Sequence, residues 1–264
     1  KVAEDHYFLC VNAANQQKDY RHIVRYNRFR AEVELASDRY AQIALQGPQA
    51  AATLSRLTSM DLGALRSYHF ADAEVAGARA RIARTGYTGE DGFELYLAPA
   101  DAPRIFRELL RAGEDFGIRP CGLGARNTLR LEAKLALYGH EIDASIRPAE
   151  AGLDWIVKTD KGEFVGRQAL IRLAEQGVRR KLAGFVMRSR QIARDGYPVY
   201  AEGRAVGWVT SGGPAPYLNR NIGLCYLPAE LAEIGRVIQI GIRGALAEAE
   251  IVPTPFYKRP RANP

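Results

Sequence analysis

The sequence predicts an α+β chain in two parts, and three observations lead there. Residues 1–176 alternate strand and helix signals, and from Arg180 onward six short strand signals follow one another between turns. The length of 264 residues suits about two packed domains. The boundary falls near residues 176–181, giving segments 1–176 and 177–258 and a short Pro/Arg tail, 259–264. A chain this long buries most of its apolar surface without covalent staples. Its 47% hydrophobic and 25% charged content excludes bulk disorder.

Each element has a local reason. Tyr7–Val11 alternates like a strand whose partners would lie upstream, and with Lys1 rather than Met at the start this predicts a fragment or processed chain. Asn12 to Tyr26 opens with cap-like polar residues and turns helical. Tyr40–Leu45 is strand-like, and Gly47-Pro48 then opens a helix through Leu54 and Leu57. Ala78–Arg84 and Phe93–Leu97 read as strands, the second with a clean period of two. Asp101 is placed to cap a helix carrying Ile105, Phe106, Leu109 and Leu110 on one face. A second helix is expected from Leu123 to about Leu137, and a third from Gly166 to Gln176, stopped by Gly177. The six later strands are Lys181–Met187, Tyr197–Tyr200, Ala205–Thr210, Ile222–Leu227, Arg236–Ile242 and Ala245–Val252, with tight turns at Glu202-Gly203 and Arg243-Gly244. They argue for a small all-β barrel or sandwich.

Composition narrows the function classes. The net charge is +7 and the pI about 9.4, with arginine supplying 30 of the 37 basic residues. The basic residues are scattered at solvated-face spacing with no block of five, so a nucleic-acid footprint is weak. Cys10, Cys121 and Cys225 form no CxxC and no zinc spacing, which points to a reducing compartment and to no metal. The uncharged stretch Ala205–Asn219 is too short and too rich in Gly and Pro to span a membrane. No GxSxG, HExxH or Cys–His pair supports a hydrolase or metalloprotease.

Two segments carry candidate chemistry. Arg84–Glu94 (RTGYTGEDGFE) places Gly86, Gly89 and Gly92 at every third position, which is neither a dinucleotide fingerprint nor a P-loop. As turn chemistry alone it is a glycine-rich connection between strands. Phe93, Leu95 and Leu97 claim the core face, so Glu94 and Tyr96 share the other. There Glu94 is either solvated or a carboxylate able to accept two parallel N–H donors, as an aminopyrimidinone edge offers. In Gly122–Ala133, a helical wheel puts Ala125, Leu129, Ala133 and Ala136 on one stripe with Arg126 at its border and Arg130 further out. A guanidinium at that border needs an acceptor, either Glu132 or a ligand, and a structural ion pair is the plainer choice. His140 is a lone histidine in a turn among acids.

The motifs RTGYTGEDGFELYL (Arg84–Leu97), GLGARNTLRLEAKLALYGHEID (Gly122–Asp143), RPAEAGLDWIVK (Arg147–Lys158) and KGEFVGRQAL (Lys161–Leu170) closely resemble the T-protein (aminomethyltransferase) family of the glycine cleavage system. GWVTSGG (Gly207–Gly213) and NIGL (Asn221–Leu224) resemble that family's C-terminal barrel. The resemblance implies a multi-lobed folate-binding aminomethyltransferase fold with two mixed α/β lobes and a C-terminal antiparallel β-barrel. It implies transfer of a one-carbon unit from the aminomethyl-lipoyl arm of H-protein to tetrahydrofolate, releasing ammonia. Tetrahydrofolate would be the co-substrate and lipoylated H-protein the partner, with no nucleic acid and no membrane. The location implied is cytoplasmic, or mitochondrial in a eukaryote.

Carried over residue by residue, the pterin-contacting Glu falls on Glu94, the folate-binding Arg on Arg126, the motif Tyr on Tyr87 and the Asn of the VNA segment on Asn12. Tyr138 is a further pocket candidate. The family's catalytic Asp, in an Asp-Asp-Leu segment, would lie upstream of Lys1, so little or no activity is expected of the chain as it stands. Asp72, Asp91 and Asp143 match no motif that could replace it. Three other readings remain open. The folate domain of a dimethylglycine or sarcosine dehydrogenase shares the motifs. A folate-binding iron–sulfur assembly factor would carry Lys-Gly-Cys-Tyr-Gly where Lys161-Gly162-Glu163-Phe164 stands. A basic RNA-binding module would fit the pI but lacks an aromatic RNP-like strand.

Overall fold

Alternation of large apolar residues with polar ones makes half-buried strands, and four of them organise the first part of the chain. The computed structural model describes residues 1–260. After α1 (Gln16–Tyr26) come β1 (Ala41–Gln46), α2 (Ala50–Leu54), β2 (Phe70–Val75), β3 (Ala78–Ala83), β4 (Gly92–Leu97) and α3 (Ala102–Ala112). The strands form one antiparallel sheet in the order β1-β4-β3-β2. One face is the core, where Leu45, Ile82, Phe93 and Leu95 pack with Leu54 of α2 and Ile105 and Leu109 of α3. The register sets Gln42 opposite Tyr96, Ala83 opposite Glu94 and Arg81 opposite Asp72, so these polar residues share the second face.

The hairpin β2–β3 turns through Ala76 and Gly77, both at positive φ. Sequence periodicity does not reveal β2, because its alternation is of alanine with acids. Tyr7–Val11 pairs with no strand among the described residues. It crosses the second face of the sheet through its side chains, with the Phe8 ring edge-on to Tyr40 at 5.1 Å and to Tyr96 at 5.4 Å. The Arg81 guanidinium lies 5.2 Å from the same ring.

α4 (Leu123–Glu132) ends five residues before the expected Leu137, because Lys134 turns left-handed at φ 55°. α5 (Arg167–Glu175) is followed by Gly177 at φ 71°, as its C′ position requires. The second part is a closed antiparallel barrel in the order β10-β5-β8-β7-β6-β9. Its strands are β5 (Arg180–Met187), β6 (Pro198–Ala201), β7 (Arg204–Ala215), β8 (Arg220–Pro228), β9 (Val237–Ile242) and β10 (Ala245–Val252). Phe185, Val199, Val209, Ile238, Ile240 and Ile251 fill it. β7 runs five residues past the expected Thr210, and there the barrel meets α4, with Leu131 packed on Ala215, Ile222 and Leu224. Among the described residues no helix is long and apolar enough to cross a membrane.

Candidate functional site

Glu94 lies half-buried on the second face of the sheet, where the pleat of β4 puts it. Gln42 Nε2 donates to Glu94 Oε1 at 2.7 Å, and the Thr85 hydroxyl donates a short hydrogen bond to Oε2. Gln42 also reaches the Tyr96 hydroxyl at 3.4 Å, and Cys10 Sγ approaches the Gln42 amide oxygen at 3.7 Å. Burial pushes the Tyr96 phenol well above its ordinary range, with Cys10 and the Glu94 charge adding to the shift. Beside this cluster, on the same face, a groove of about 670 Å³ is lined by Tyr40, Asp72, Arg79, Arg81 and Tyr96.

The glycine-rich connection between β3 and β4 is pinned along its length. At its base Arg84 forks onto Asp91, with Nε to Oδ1 at 3.0 Å and Nη2 to Oδ2 at 2.6 Å, and Arg84 Nη1 also donates to the Leu65 carbonyl at 2.8 Å. Gln46 holds the middle: its Nε2 donates to the Thr85 carbonyl at 3.1 Å, and its Oε1 accepts from Thr88 Oγ1 at 3.2 Å. Gly89 has φ 79° and passes so close to the end of α4 that a Cβ there would stand 2.7 Å from Ala133 Cβ. Only glycine meets both conditions.

That loop carries Tyr87 onto α4. The Tyr87 hydroxyl donates to the Ala136 carbonyl at 2.6 Å, and the Arg126 guanidinium stacks over the ring, 4.5 Å from its centroid. Burial raises the Tyr87 pKa, which the nearby Arg130 and Arg126 charges oppose. Glu94 and the Tyr87–Arg126 pair are thus joined through Thr85, two residues from Tyr87.

The expected geometry of α4 is corrected. Arg126 is exposed, whereas Arg130, expected further out, is 1% exposed and the largest fully buried side chain. Its acceptor is not Glu132 but Glu141, at 2.8 Å, itself fully buried. The reason is the early end of the helix: the chain folds back after Lys134 and delivers Glu141 to the inner side of α4. Glu132 is buried too, and one of its carboxylate oxygens has no hydrogen-bond partner. Burial raises its pKa.

Asn12 precedes a short 3₁₀ turn and makes no side-chain cap bond. The Tyr138 hydroxyl accepts from Lys18 Nζ of α1 at 2.7 Å. Among the described residues, no hydrogen bond joins either to Glu94 or Arg126. Sequence reading missed Gln42, Gln46 and Thr85, which orient the carboxylate and the loop. Gln42 and Gln46 had a local signal, since they share one side of the period-two strand β1, and Thr85 had none. Asp72, Asp91 and Asp143 are all engaged, by Arg81, Arg84 and Ser145 respectively, and each partner holds its carboxyl below the usual range. Among the described residues no cluster of three or more His, Cys, Asp or Glu could hold a metal ion.

Comparison with known proteins decides the family. The GCVT N-terminal domain matches residues 1–161, and the glycine cleavage T-protein C-terminal barrel domain matches residues 180–258. The chain belongs to the glycine cleavage T-protein family. The aminomethyltransferase of Acidobacterium capsulatum is 51% identical over 267 residues, covering 99% of this chain and 71% of that relative. The aminomethyltransferase of Koribacter versatilis is 48% identical over 269 residues, covering 100% of the chain and 70% of the relative. The crystal structure of the glycine cleavage system aminomethyltransferase T from Bartonella henselae superposes with a TM-score of 0.84 at 30% identity, over 94% of this chain and 67% of that one. The T-protein resemblance is therefore borne out, as are the transferase class and the mixed α/β fold with its antiparallel barrel.

Proposed function

We propose that this T-protein family chain binds tetrahydrofolate with the aminopyrimidinone edge on Glu94 and the remainder of the molecule passing Tyr87 and Arg126. The single observation that carries the reading is the state of the Glu94 carboxylate. Each of its oxygens takes one protein donor, from Gln42 and from Thr85. A carboxylate offers about four lone-pair sites, so each oxygen retains capacity for one N–H of a planar, two-donor ring edge. Gln42 and Thr85 fix the plane of the carboxylate before the substrate arrives, which lowers the ordering cost of binding. The Tyr87 hydroxyl is tied to Ala136, so this residue offers a ring face and no mobile proton. Arg126, exposed and stacked on that ring, offers a cation to the substrate's anionic end.

The donor in this reading is the aminomethyl-lipoyl arm of H-protein. The carbon–sulfur and carbon–nitrogen bonds of the aminomethyl group break, and new bonds form from that carbon to N5 and N10 of tetrahydrofolate. The two displaced protons leave with the lipoyl thiol and with ammonia. The net charge of +7 favours an acidic carrier by electrostatic steering. Three free cysteines suit a reducing interior, the cytoplasm or, in a eukaryote, the mitochondrion. The test is the unfolding temperature of the chain against tetrahydrofolate concentration. A rise that continues with concentration, as expected for a ligand of the folded state, is the predicted result; no rise at any concentration overturns the reading.

A further inference from the structure

The buried Arg130–Glu141 pair has no place in the folate contacts above, yet it is the most completely enclosed charged group in the molecule, at 1% and 0% side-chain exposure. We infer that Arg130 and Glu141 are positioning residues that set the rotation of α4, and through it the placement of the Tyr87–Arg126 pair that meets the substrate. The inference rests on the tetrahydrofolate reading and goes beyond it by assigning what holds the cationic end of that site.

The argument starts from how α4 is held. Its first turn is largely exposed: Leu123 is 84% exposed and Arg126 is exposed. Its last turn is anchored by Leu131 against the barrel and by the Arg130 guanidinium. An apolar contact such as Leu131 tolerates a helix turning about its axis, whereas a planar fork with five donors in fixed directions does not. Every side of that fork is taken. Nη1 donates to Glu141 Oε2 at 2.8 Å and to the Leu135 carbonyl at 3.3 Å, Nη2 to Ser211 Oγ of β7 at 2.7 Å, and Nε to Asn127 Oδ1 at 2.9 Å.

Glu141 is fixed in turn by the Thr210 hydroxyl at 2.6 Å and the Leu137 amide at 2.9 Å, and its carbonyl accepts from the Tyr226 hydroxyl at 2.8 Å. The fork therefore ties α4, the turn after it and the barrel into one frame.

Two links carry this frame to the site. Arg126 stands four residues before Arg130, about 6 Å along the axis and on nearly the same side, so any rotation of α4 swings it directly. The Leu135 carbonyl that Arg130 holds lies next to the Ala136 carbonyl that receives the Tyr87 hydroxyl. Both members of the stacked pair are thus referenced to the same guanidinium.

A double-mutant cycle on tetrahydrofolate affinity separates this role from a general contribution to folding. Arg130→Lys keeps the charge opposite Glu141 and loses the fork. Its expected effect is an affinity weaker by about three- to tenfold in the parent, shrinking to less than about twofold once Arg126→Ala is already present, because interacting sites do not add. Equal fold-changes in the two backgrounds, or full affinity in Arg130→Lys, overturn the inference. Should Arg130→Lys fail to fold, Ser211→Ala removes one acceptor of the fork at the barrel wall, and the same non-additivity with Arg126→Ala is expected of it. A parent chain that binds no tetrahydrofolate refutes the underlying reading instead, so the two failures are distinguishable.

Discussion

Replacing Glu141 by alanine removes, in one step, the acceptor of three donors: the buried Arg130 Nη1 and Thr210 hydroxyl and the partly buried Leu137 amide. The guanidinium left behind is 1% exposed and has no other carboxylate within salt-bridge distance among the described residues. Breaking a buried pair by deleting one partner costs about 3–5 kcal/mol, because the remaining charge stays desolvated. In a chain of this size such a loss lowers the midpoint of thermal unfolding by roughly 6–20 °C. The control is Arg130→Met with Glu141→Leu, which removes both charges and fills the space with apolar groups. It is expected to recover most of the lost stability, since buried pairs replaced by well-packed apolar residues are often neutral. The assay is urea unfolding followed by tryptophan fluorescence and far-ultraviolet circular dichroism. A Glu141→Ala chain within about 1 kcal/mol of the parent, the scatter of ordinary surface changes, refutes the reasoning.

The remaining predictions concern the loop and its anchors. Gly89→Ala is expected to destabilise the chain by about 1–3 kcal/mol, combining strain at φ 79° with the approach of Ala133, as read from the unfolding midpoint. A change below the error of the measurement would contradict the packing of the loop on α4. Arg84 holds the Asp91 carboxyl below its ordinary value of 3.8. A depressed pKa contributes stability that is present above the unfolded value and is lost as pH falls through the folded one, so the contribution disappears below about pH 4. Asp91→Asn should therefore flatten the acid limb of stability against pH and leave its slope near neutrality unchanged. The Tyr257 phenol is pushed up to about 12, first by its hydrogen bond to Glu90. A Glu90→Gln change should bring one tyrosine down toward 10 in an alkaline absorbance titration, and an unaltered titration would deny that contact.

The fold was legible wherever local pattern and tertiary partner agree. Phe93–Leu97 announces itself by period two and the six barrel strands by short apolar runs between turn residues; burial alternates in β4, β6, β9 and β10, while β5, β7 and β8 bury continuous runs. β2 was not legible, since Ala71 and Ala73 alternate with Asp72 and Glu74 and give no apolar contrast. Its strand character comes from the Ala76–Gly77 hairpin and the pairing with β3. Tyr7–Val11 alternates too, yet among the described residues its backbone joins no sheet, and its Phe8 ring packs across the face of β4.

The site was half legible. Glu94 and Tyr87 follow from a glycine-rich turn running into a strand whose core face is already claimed. The exchange of roles between Arg126 and Arg130 could not be seen on a helical wheel. The wheel ran to Ala136, whereas the helix stops at Glu132, and the acceptor that draws Arg130 inward arrives from a turn eleven residues away in sequence. Gln42 and Gln46 of β1 and Thr85 of the β3–β4 connection act through hydrogen bonds between segments that meet only in the folded chain.

The most direct measurement is the calorimetric affinity of tetrahydrofolate for the parent chain and for Glu94→Ala and Arg126→Ala side by side. Saturable binding by the parent, weakened by about 1–3 kcal/mol in each variant through loss of a charge-assisted hydrogen bond, is the predicted result. Binding by the parent with both variants unchanged would place the folate elsewhere and contradict the account.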